Sequence, residues 1–314
     1  MNAARVIVTG PTSGIGKEIA AQLALRGAEV ILACRDPQRG EETAEAIREH
    51  ATAAQPVVMP VDTSSQASIS DFARNYRQRY DRLDVLVNNA GTLCPQRNTN
   101  GAGLELTFAT NVIGYYLMTH ELLDILCTSA PARVVNVAST FAGDLDLHDL
   151  QFEDRPYDGM RAYAQSKACN RMLTWAFARR LAGTGVTANA TAPGLVTDTN
   201  LYRDLPADIH RQLEQQPSRS VAEGADTAVW LAASEIGGVN GKFYEQRAEQ
   251  PCQFRDVAAE EKLWALCQAI ANTHAGADRL SGREADVVHR RAFARRSLRR
   301  LGRHFSFRAR EDAS

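Results

Sequence analysis

Tyr163 and Lys167 stand four residues apart in the segment Tyr163-Ala164-Gln165-Ser166-Lys167. On a helix that spacing puts both side chains on one face. A free phenol has a pKa of about 10, too high for proton transfer at neutral pH. An ammonium beside it favours the phenolate and brings the value down. The tyrosine then becomes a usable general acid and base for an alcohol or carbonyl oxygen. Ser139 follows the run ending Val137-Ala138 and can hydrogen-bond a substrate oxygen. Asn111 lies mid-helix, where a side-chain amide is mildly unfavourable unless it has a task. Each of these residues alone is as readily structural. Their force comes from the order in which they occur together with a glycine loop.

That loop is Thr9-Gly10-Pro11-Thr12-Ser13-Gly14-Ile15-Gly16, of the form T-G-x-x-x-G-x-G. It sits between a first strand and a first helix. Glycines there permit a tight turn and a close approach of the backbone to a pyrophosphate. The helix start adds free N–H groups and a positive dipole end. The alternative is a glycine-rich turn that binds nothing. The second strand ends in Cys34-Arg35, where an acidic residue would favour NAD. Arg35 can instead fork onto a 2′-phosphate, and Lys17 adds charge nearby. NADP(H) is therefore expected over NAD(H), against the reading that Asp36 merely neutralises Arg35. Asp62, past the third strand, can accept from an adenine amino group or cap the next helix. Asn88-Asn89-Ala90-Gly91 follows the fourth strand; its small residues let a nucleotide lie against the backbone, and its Asn side chains brace neighbouring strands.

These residues need a scaffold, and the rest of the chain predicts one. Short apolar runs at Val6–Thr9, Glu29–Ala33, Val57–Val61, Val85–Asn88, Arg133–Val137 and Val186–Ala190 read as buried strands. Amphipathic stretches at Gly16–Leu25, Gln38–Glu49, Ser65–Tyr80, Leu104–Leu126 and Tyr163–Leu181 alternate with them. This pattern predicts an α/β fold: a doubly wound parallel sheet, Rossmann-like, in three α/β/α layers. Thr197–Pro217 suits a flap over the site. Val221–Ser234 reads as a helix, Lys242–Tyr244 as a last strand and Ala258–Ala271 as a final helix. One domain is expected over 1–271, followed by a basic tail, 272–314.

Net charge is −1 over 314 residues, so no nucleic-acid partner is expected. The balance is uneven. Residues 271–314 hold eleven arginines against five acidic residues, a net of +6, which leaves −7 on the rest. That tail reads as a solvated extension or as a basic helix for membrane or nucleic acid. The six cysteines form no C-x-x-C pair and no metal pattern, so reduced thiols and no metal are expected. No apolar run reaches the length of a membrane span, and Val6-Ile7-Val8 is too short for a signal peptide. A cytoplasmic location is expected.

The ordered set of Thr9–Gly16, Asn88–Gly91, Asn111, Ser139, Tyr163 with Lys167, and Pro193-Gly194 resembles the short-chain dehydrogenase/reductases over the chain to about residue 271. The resemblance implies hydride transfer between a nicotinamide cofactor and an alcohol or carbonyl. It implies a proton relay through Asn111, Ser139, Tyr163 and Lys167. Tyr163 handles the substrate proton, Ser139 orients the oxygen, Lys167 also holds the nicotinamide ribose, and Asn111 holds a water against Lys167. It implies cofactor contacts from Gly10, Thr12, Ser13, Gly14, Ile15, Gly16, Arg35, Asp62, Asn89, Ala90, Gly91, Pro193, Gly194 and Val196. It also implies a homodimer or homotetramer. Leu32-Ala33-Cys34-Arg35-Asp36, His148-Asp149-Leu150-Gln151 and the run Ala178–Val186 are similar to the retinol dehydrogenase/WW-domain oxidoreductase-like branch. So is the long interval between Ser139 and Tyr163. Vertebrate members of that branch often carry an N-terminal membrane anchor, whereas this sequence starts at the first strand. Ala138-Ser139 replaces the expected Ser-Ser, and the arginine-rich tail has no counterpart.

Leu93–Thr99, Phe141–Met160 and Leu195–Pro217 are the expected substrate contacts. Within the insertion, Leu145, Leu147, Leu150, Phe152, Tyr157 and Met160 suggest a partly apolar pocket and a lipophilic substrate, unless they only anchor the insertion. A different class of function, an NADP(H)-sensing regulator without turnover, also fits a Rossmann scaffold. A sugar-nucleotide epimerase fits less well, because its loop glycines are spaced differently.

Overall fold

The computed structural model describes residues 4–51, 55–234 and 238–275. Residues up to 269 form one compact unit, and a second begins at 270. The basic tail from 276 onward lies outside the described residues. Strand β1 (Arg5–Thr9) leads through the glycine loop into α1 (Gly14–Leu25). Then come β2 (Glu29–Cys34), α2 (Pro37–His50), β3 (Val57–Pro60), α3 (Gln66–Arg79) and β4 (Val85–Asn88). The second half runs α4 (Leu106–Phe108), α5 (Gly114–Glu121), α6 (Leu123–Thr128), β5 (Ala132–Val137), α7 (Gly159–Arg180) and β6 (Val186–Ala192). It closes with α8 (Ala207–Glu214), α9 (Val221–Ala233), β7 (Phe243–Glu245), β8 (Ala248–Glu249) and α10 (Val257–Ala275).

The sheet order is β3-β2-β1-β4-β5-β6-β7-β8. Strands β1 to β7 pair in parallel, and β8 returns antiparallel beside β7. This is the expected doubly wound, Rossmann-like sheet. The order reverses between β1 and β4, and ligands of such sheets bind at that reversal, outside the strand carboxyl ends. The strands are apolar on both faces because helices cover both. Val6, Val8, Val30 and Leu32 point to a cluster with Ile19 and Leu23 of α1, Ile47 of α2 and Val229 of α9. The other face is covered by α3, α5 and α7, whose buried Phe72, Tyr76, Tyr116, Trp175 and Phe177 are among the largest core side chains.

Caps mark the helix starts. Asp36 accepts from Gln38 N and Arg39 N at α2, Ser65 caps α3, and Ser220 and Glu223 form a capping box at α9. Asp158 accepts from Arg161 N, so α7 starts at Gly159 and Tyr163 lies one turn inside. Each such cap contributes about 1 kcal/mol. The predicted single helix Leu104–Leu126 is divided. The Glu105 carboxylate caps α4 at Thr107 N and Phe108 N. A π-helical turn over Ala109–Ile113 follows and carries Asn111. The Arg77 guanidinium of α3 donates to the Glu121 carbonyl, where α5 gives way to α6. The predicted flap holds a 3₁₀ turn, Asn200–Tyr202, and the short helix α8, with no buried residue in either.

Candidate active site

One cleft of about 310 Å³ opens at the sheet reversal. Segments following β1, β2, β3, β4, β5 and β6 line it. Seventeen expected site residues are among its walls: Gly10, Thr12, Ser13, Gly14, Ile15, Gly16, Arg35, Asp62, Asn89, Ala90, Gly91, Ser139, Tyr163, Lys167, Pro193, Gly194 and Val196. Asn111 does not. It is fully buried behind the wall, where its Oδ1 accepts from Thr92 N at 2.8 Å. Its Nδ2 donates to Thr92 O and to Ser166 Oγ, both at 2.9 Å, and its carbonyl accepts from Asn170 Nδ2 at 2.5 Å. The expected water-holding amide is thus engaged by protein groups, and it ties the π-helical turn to the Thr92 backbone and to α7.

The glycine loop is a tight cradle. Gly10 has φ +66°, and a Cβ there would lie 2.9 Å from Ala90 Cα. A Cβ on Gly16 would lie 2.1 Å from Gly10 O and 2.3 Å from Asn89 Nδ2. Thr9 Oγ1 accepts from Asn89 N and Ala90 N, and Asn89 Nδ2 donates to Thr9 O, so β1 and β4 are laced together at the cleft. Ser13 makes no side-chain cap hydrogen bond at the start of α1, unlike the caps of α2, α3, α7 and α9. An uncapped helix start beside small residues is suited to an anionic pyrophosphate. The residues present therefore fit a dinucleotide.

The charged groups at the end of β2 differ partly from expectation. Arg35 lines the cleft, but exposed Lys17 does not. Arg39 does, with its Nη2 3.5 Å from Thr12 O. Its signal in the sequence was weak, because it lies inside α2 and becomes a neighbour of the loop only through the α1–β2–α2 packing. Asp36 is occupied as the α2 cap rather than as a partner for Arg35. Asp62 lines the cleft while its Oδ1 accepts from Ser64 N and Ser64 Oγ.

Tyr163 is only 8% exposed. Burial pushes its phenol above the usual range, Tyr202 adds to that, and the hydrogen bond with Ser139 opposes it. The expectation that Lys167 dominates this group therefore needs correction: burial outweighs the neighbouring cation. Lys167 is itself pulled down to about 7 by burial. Its Nζ donates to Val137 O at 2.9 Å and lies 5.5 Å from the Tyr163 ring centroid. Ser139 Oγ accepts from Phe141 N, and its carbonyl accepts from the buried Arg171 guanidinium. Phe141 stacks at 6.4 Å on Tyr163. Leu93 and Leu205 bury against Tyr163, with Met160, Leu201, Tyr202, Ile209 and Leu213 packed around them.

The insertion after Ser139 contributes less to the site than expected. None of Leu145, Leu147, Leu150, Phe152 and Tyr157 lines the cleft. Leu150 and Phe152 are buried, and Tyr157 OH donates to Cys94 O and to the Glu105 carboxylate. These residues anchor the insertion. The apolar wall comes instead from Leu93, Leu106, Val196, Leu201 and Tyr202. Leu93, Val196, Leu201 and Tyr202 fall in segments expected to touch substrate; sequence reading missed Leu106, which starts α4 and reaches the cleft only through the fold.

The family model described as short chain dehydrogenase matches residues 4–210. The chain is a short-chain dehydrogenase/reductase. Within that family it belongs to the retinol dehydrogenase-like branch. It is 38% identical to mouse retinol dehydrogenase 12 over 265 residues, 82% of this chain and 83% of the relative. It is 36% identical to human retinol dehydrogenase 13 over 273 residues, 83% and 82% of the two chains. Among solved structures it is similar to an uncharacterised Mycobacterium paratuberculosis protein, with TM-score 0.69, 28% identity and 86% and 94% of the two chains covered. It is also similar to Pseudomonas aeruginosa RhlG in an active-site complex with NADP, with TM-score 0.63, 27% identity, and 78% and 95% covered. This short-chain dehydrogenase/reductase is an oxidoreductase that uses a nicotinamide dinucleotide on an alcohol or carbonyl. Among its described residues no helix is long and apolar enough to cross a membrane, and no His/Cys/Asp/Glu group is placed to hold a metal. Its six cysteines are unpaired.

Proposed function

We propose that this enzyme prefers NADP(H) and interconverts a lipophilic alcohol with its aldehyde or ketone, Tyr163 acting as general acid and base. The observation that carries this reading is the convergence of Tyr163, Ser139 and Lys167 on the same cleft as the uncapped α1 start. Gly10, Thr12, Ser13, Gly14, Ile15 and Gly16 would hold the pyrophosphate, with Asn89, Ala90, Gly91, Pro193, Gly194 and Val196 along the remaining length. Arg35 and Arg39 supply the two cations that a 2′-phosphate calls for. When bound, the nicotinamide accepts or gives a hydride. The chain's own part is to hold the substrate oxygen between Ser139 Oγ and Tyr163 OH. In reduction Tyr163 gives its proton to that oxygen, and in oxidation it takes the proton back. Lys167 supplies the nearby cation that favours the phenolate stage. The apolar wall and the relatives' name, retinol dehydrogenase, support a lipophilic substrate.

Turnover of aliphatic and polyene aldehydes and alcohols, followed by nicotinamide absorbance with NADPH and NADH, tests this reading. Wild type is expected to act with NADPH, and Tyr163→Phe is expected to lose about a thousandfold or more in kcat. Retained activity in Tyr163→Phe would sink the proposed relay. Absence of turnover across the panel would favour a sensor.

A further inference from the structure

Lys167 is a buried cation with few partners. Burial is the cause of its lowered pKa, and no ion pair with a carboxylate holds it among the described residues. Its nearest partners are neutral: a backbone carbonyl, two aromatic rings and an amide. Val137 O at the end of β5 accepts a hydrogen bond from its Nζ. The Tyr163 ring lies at 5.5 Å on its own helix, and the Tyr115 ring lies at 5.5 Å on α5. Asn111 of the π-helical turn stands beside it: a Cβ at Gly91 would lie 3.5 Å from Asn111 Oδ1 and 3.8 Å from Lys167 Nζ. One turn further along α7, Arg171 is engaged with Ser139 O and with the Phe243 ring at 3.8 Å.

Tyr115 meets Lys167 twice. Its ring faces the ammonium, and its hydroxyl donates to Val137 O at 3.1 Å, the carbonyl that Lys167 also uses. A carbonyl has two lone pairs and serves both donors. Tyr115 is 3% exposed, so water does not compete for either contact. An aromatic face within about 6 Å stabilises a cation, and more strongly where water is excluded. Lys167 has three N–H donors and spends one on Val137, leaving two for Tyr163 and the cleft.

We propose that Tyr115 is a positioning residue for Lys167: its ring face holds the ammonium charged and aimed at the Tyr163 side of the cleft, and its hydroxyl, bonded to Val137 O, fixes that ring in place. Lys167's part in the relay rests on the function proposed above, but its own titration does not. The chain has four lysines, Lys17, Lys167, Lys242 and Lys262. Selective ¹⁵Nζ/¹³Cε lysine labelling therefore resolves Lys167 in the cofactor-free protein.

Tyr115→Leu removes the ring and the hydroxyl. The Lys167 midpoint is expected to fall by about one pH unit below wild type. Tyr115→Phe keeps the ring, and the midpoint is expected to stay or rise slightly, since Lys167 gains sole use of the carbonyl. In turnover, Tyr115→Leu should move the alkaline limb of kcat to lower pH and reduce kcat about tenfold, with Tyr115→Phe restoring most of it. A folded Tyr115→Leu with an unchanged midpoint would overturn the proposal, as would equal shifts in both variants. If the leucine variant does not fold, 3,4,5-trifluorophenylalanine at position 115 takes its place. It keeps the ring's shape and weakens its negative face, so its midpoint must fall below that of Tyr115→Phe. Equality there overturns the proposal. A failed Tyr163→Phe test leaves these titrations intact, so the two ideas fail separately.

Discussion

Arg39 shows how a single side chain can acquire a role that its position in the sequence hides. It lies inside α2, where an arginine is usually solvated, yet it reaches the glycine loop beside Thr12 O. Arg35 was legible because it follows β2 directly; Arg39 was not, because its relevance depends on how α2 returns across the loop. The two make separate contributions to a 2′-phosphate, and the expected result is graded. Arg39→Ala should raise KM for NADPH about tenfold and leave KM for NADH nearly unchanged, at about 1–2 kcal/mol for one charge-assisted contact. Arg35→Ala should do the same, and the double variant should lose its preference between the two cofactors. Steady-state kinetics with both cofactors decide this; a parallel rise for NADH would show that Arg39 only supports the loop. Asn111 carries the opposite lesson. Its residue type and position were readable, but its protein partners, Thr92 after β4 and Ser166 and Asn170 on α7, come from two other segments.

Elements place these residues, and the placement depends on close contacts at their ends. The loop between β1 and α1 can fold on itself and meet the segment after β4 only because Gly16 has no side chain: a Cβ there would lie 2.1 Å from Gly10 O and 2.3 Å from Asn89 Nδ2. Gly16→Ala is therefore expected to cost about 1–3 kcal/mol by overpacking and to abolish dinucleotide binding. A urea titration and quenching of intrinsic fluorescence by NADPH check the two effects. Wild-type binding in that variant would mean that the loop can open without harm. The strands and most helices were legible because burial on both sheet faces leaves continuous apolar runs, as at Val6–Thr9. The stretch from Leu104 to Leu126 was not legible as separate pieces. Its division is marked by the Glu105 carboxylate at one end and by Arg77, which arrives from α3, at the other. Neither interaction leaves a periodic trace. The insertion misled for a related reason: apolar residues that secure a loop and apolar residues that line a pocket look alike until the chain's path is known.

At the scale of the molecule, the site's buried charges act on the whole fold. Below about pH 7 the folded and unfolded chains both hold the Lys167 proton. Between about 7 and the ordinary lysine value of 10.5 the unfolded chain keeps a proton that the folded chain has released. Stability therefore rises with pH through that window. Cys34 is shifted the other way, from 9.0 to about 11, and Cys169, Cys267, Tyr115 and Tyr163 are also raised by burial. The folded chain keeps these protons while the unfolded chain loses them, so stability falls above about pH 9. The cofactor-free protein should thus be most resistant to urea near pH 8.5. Lys167→Met should remove the rise and stabilise the fold at pH 7 by on the order of 2 kcal/mol, while abolishing turnover. Urea midpoints between pH 6 and 10 test this. A rise retained in Lys167→Met would assign it to another group.

The bare start of α1 has a consequence beyond catalysis. Every neighbouring long helix on the cofactor side carries its own cap, but this one leaves its first N–H groups to whatever arrives. A ligand that supplies the missing partners binds the folded chain and not the unfolded one. At a free concentration a hundred times its dissociation constant it adds about 2.7 kcal/mol to stability. Differences of that size change how often a chain opens to proteases and how long it survives. The amount of enzyme in a cell would then follow the size of its dinucleotide pool, so that the protein is kept where its redox partner is plentiful and cleared where it is scarce.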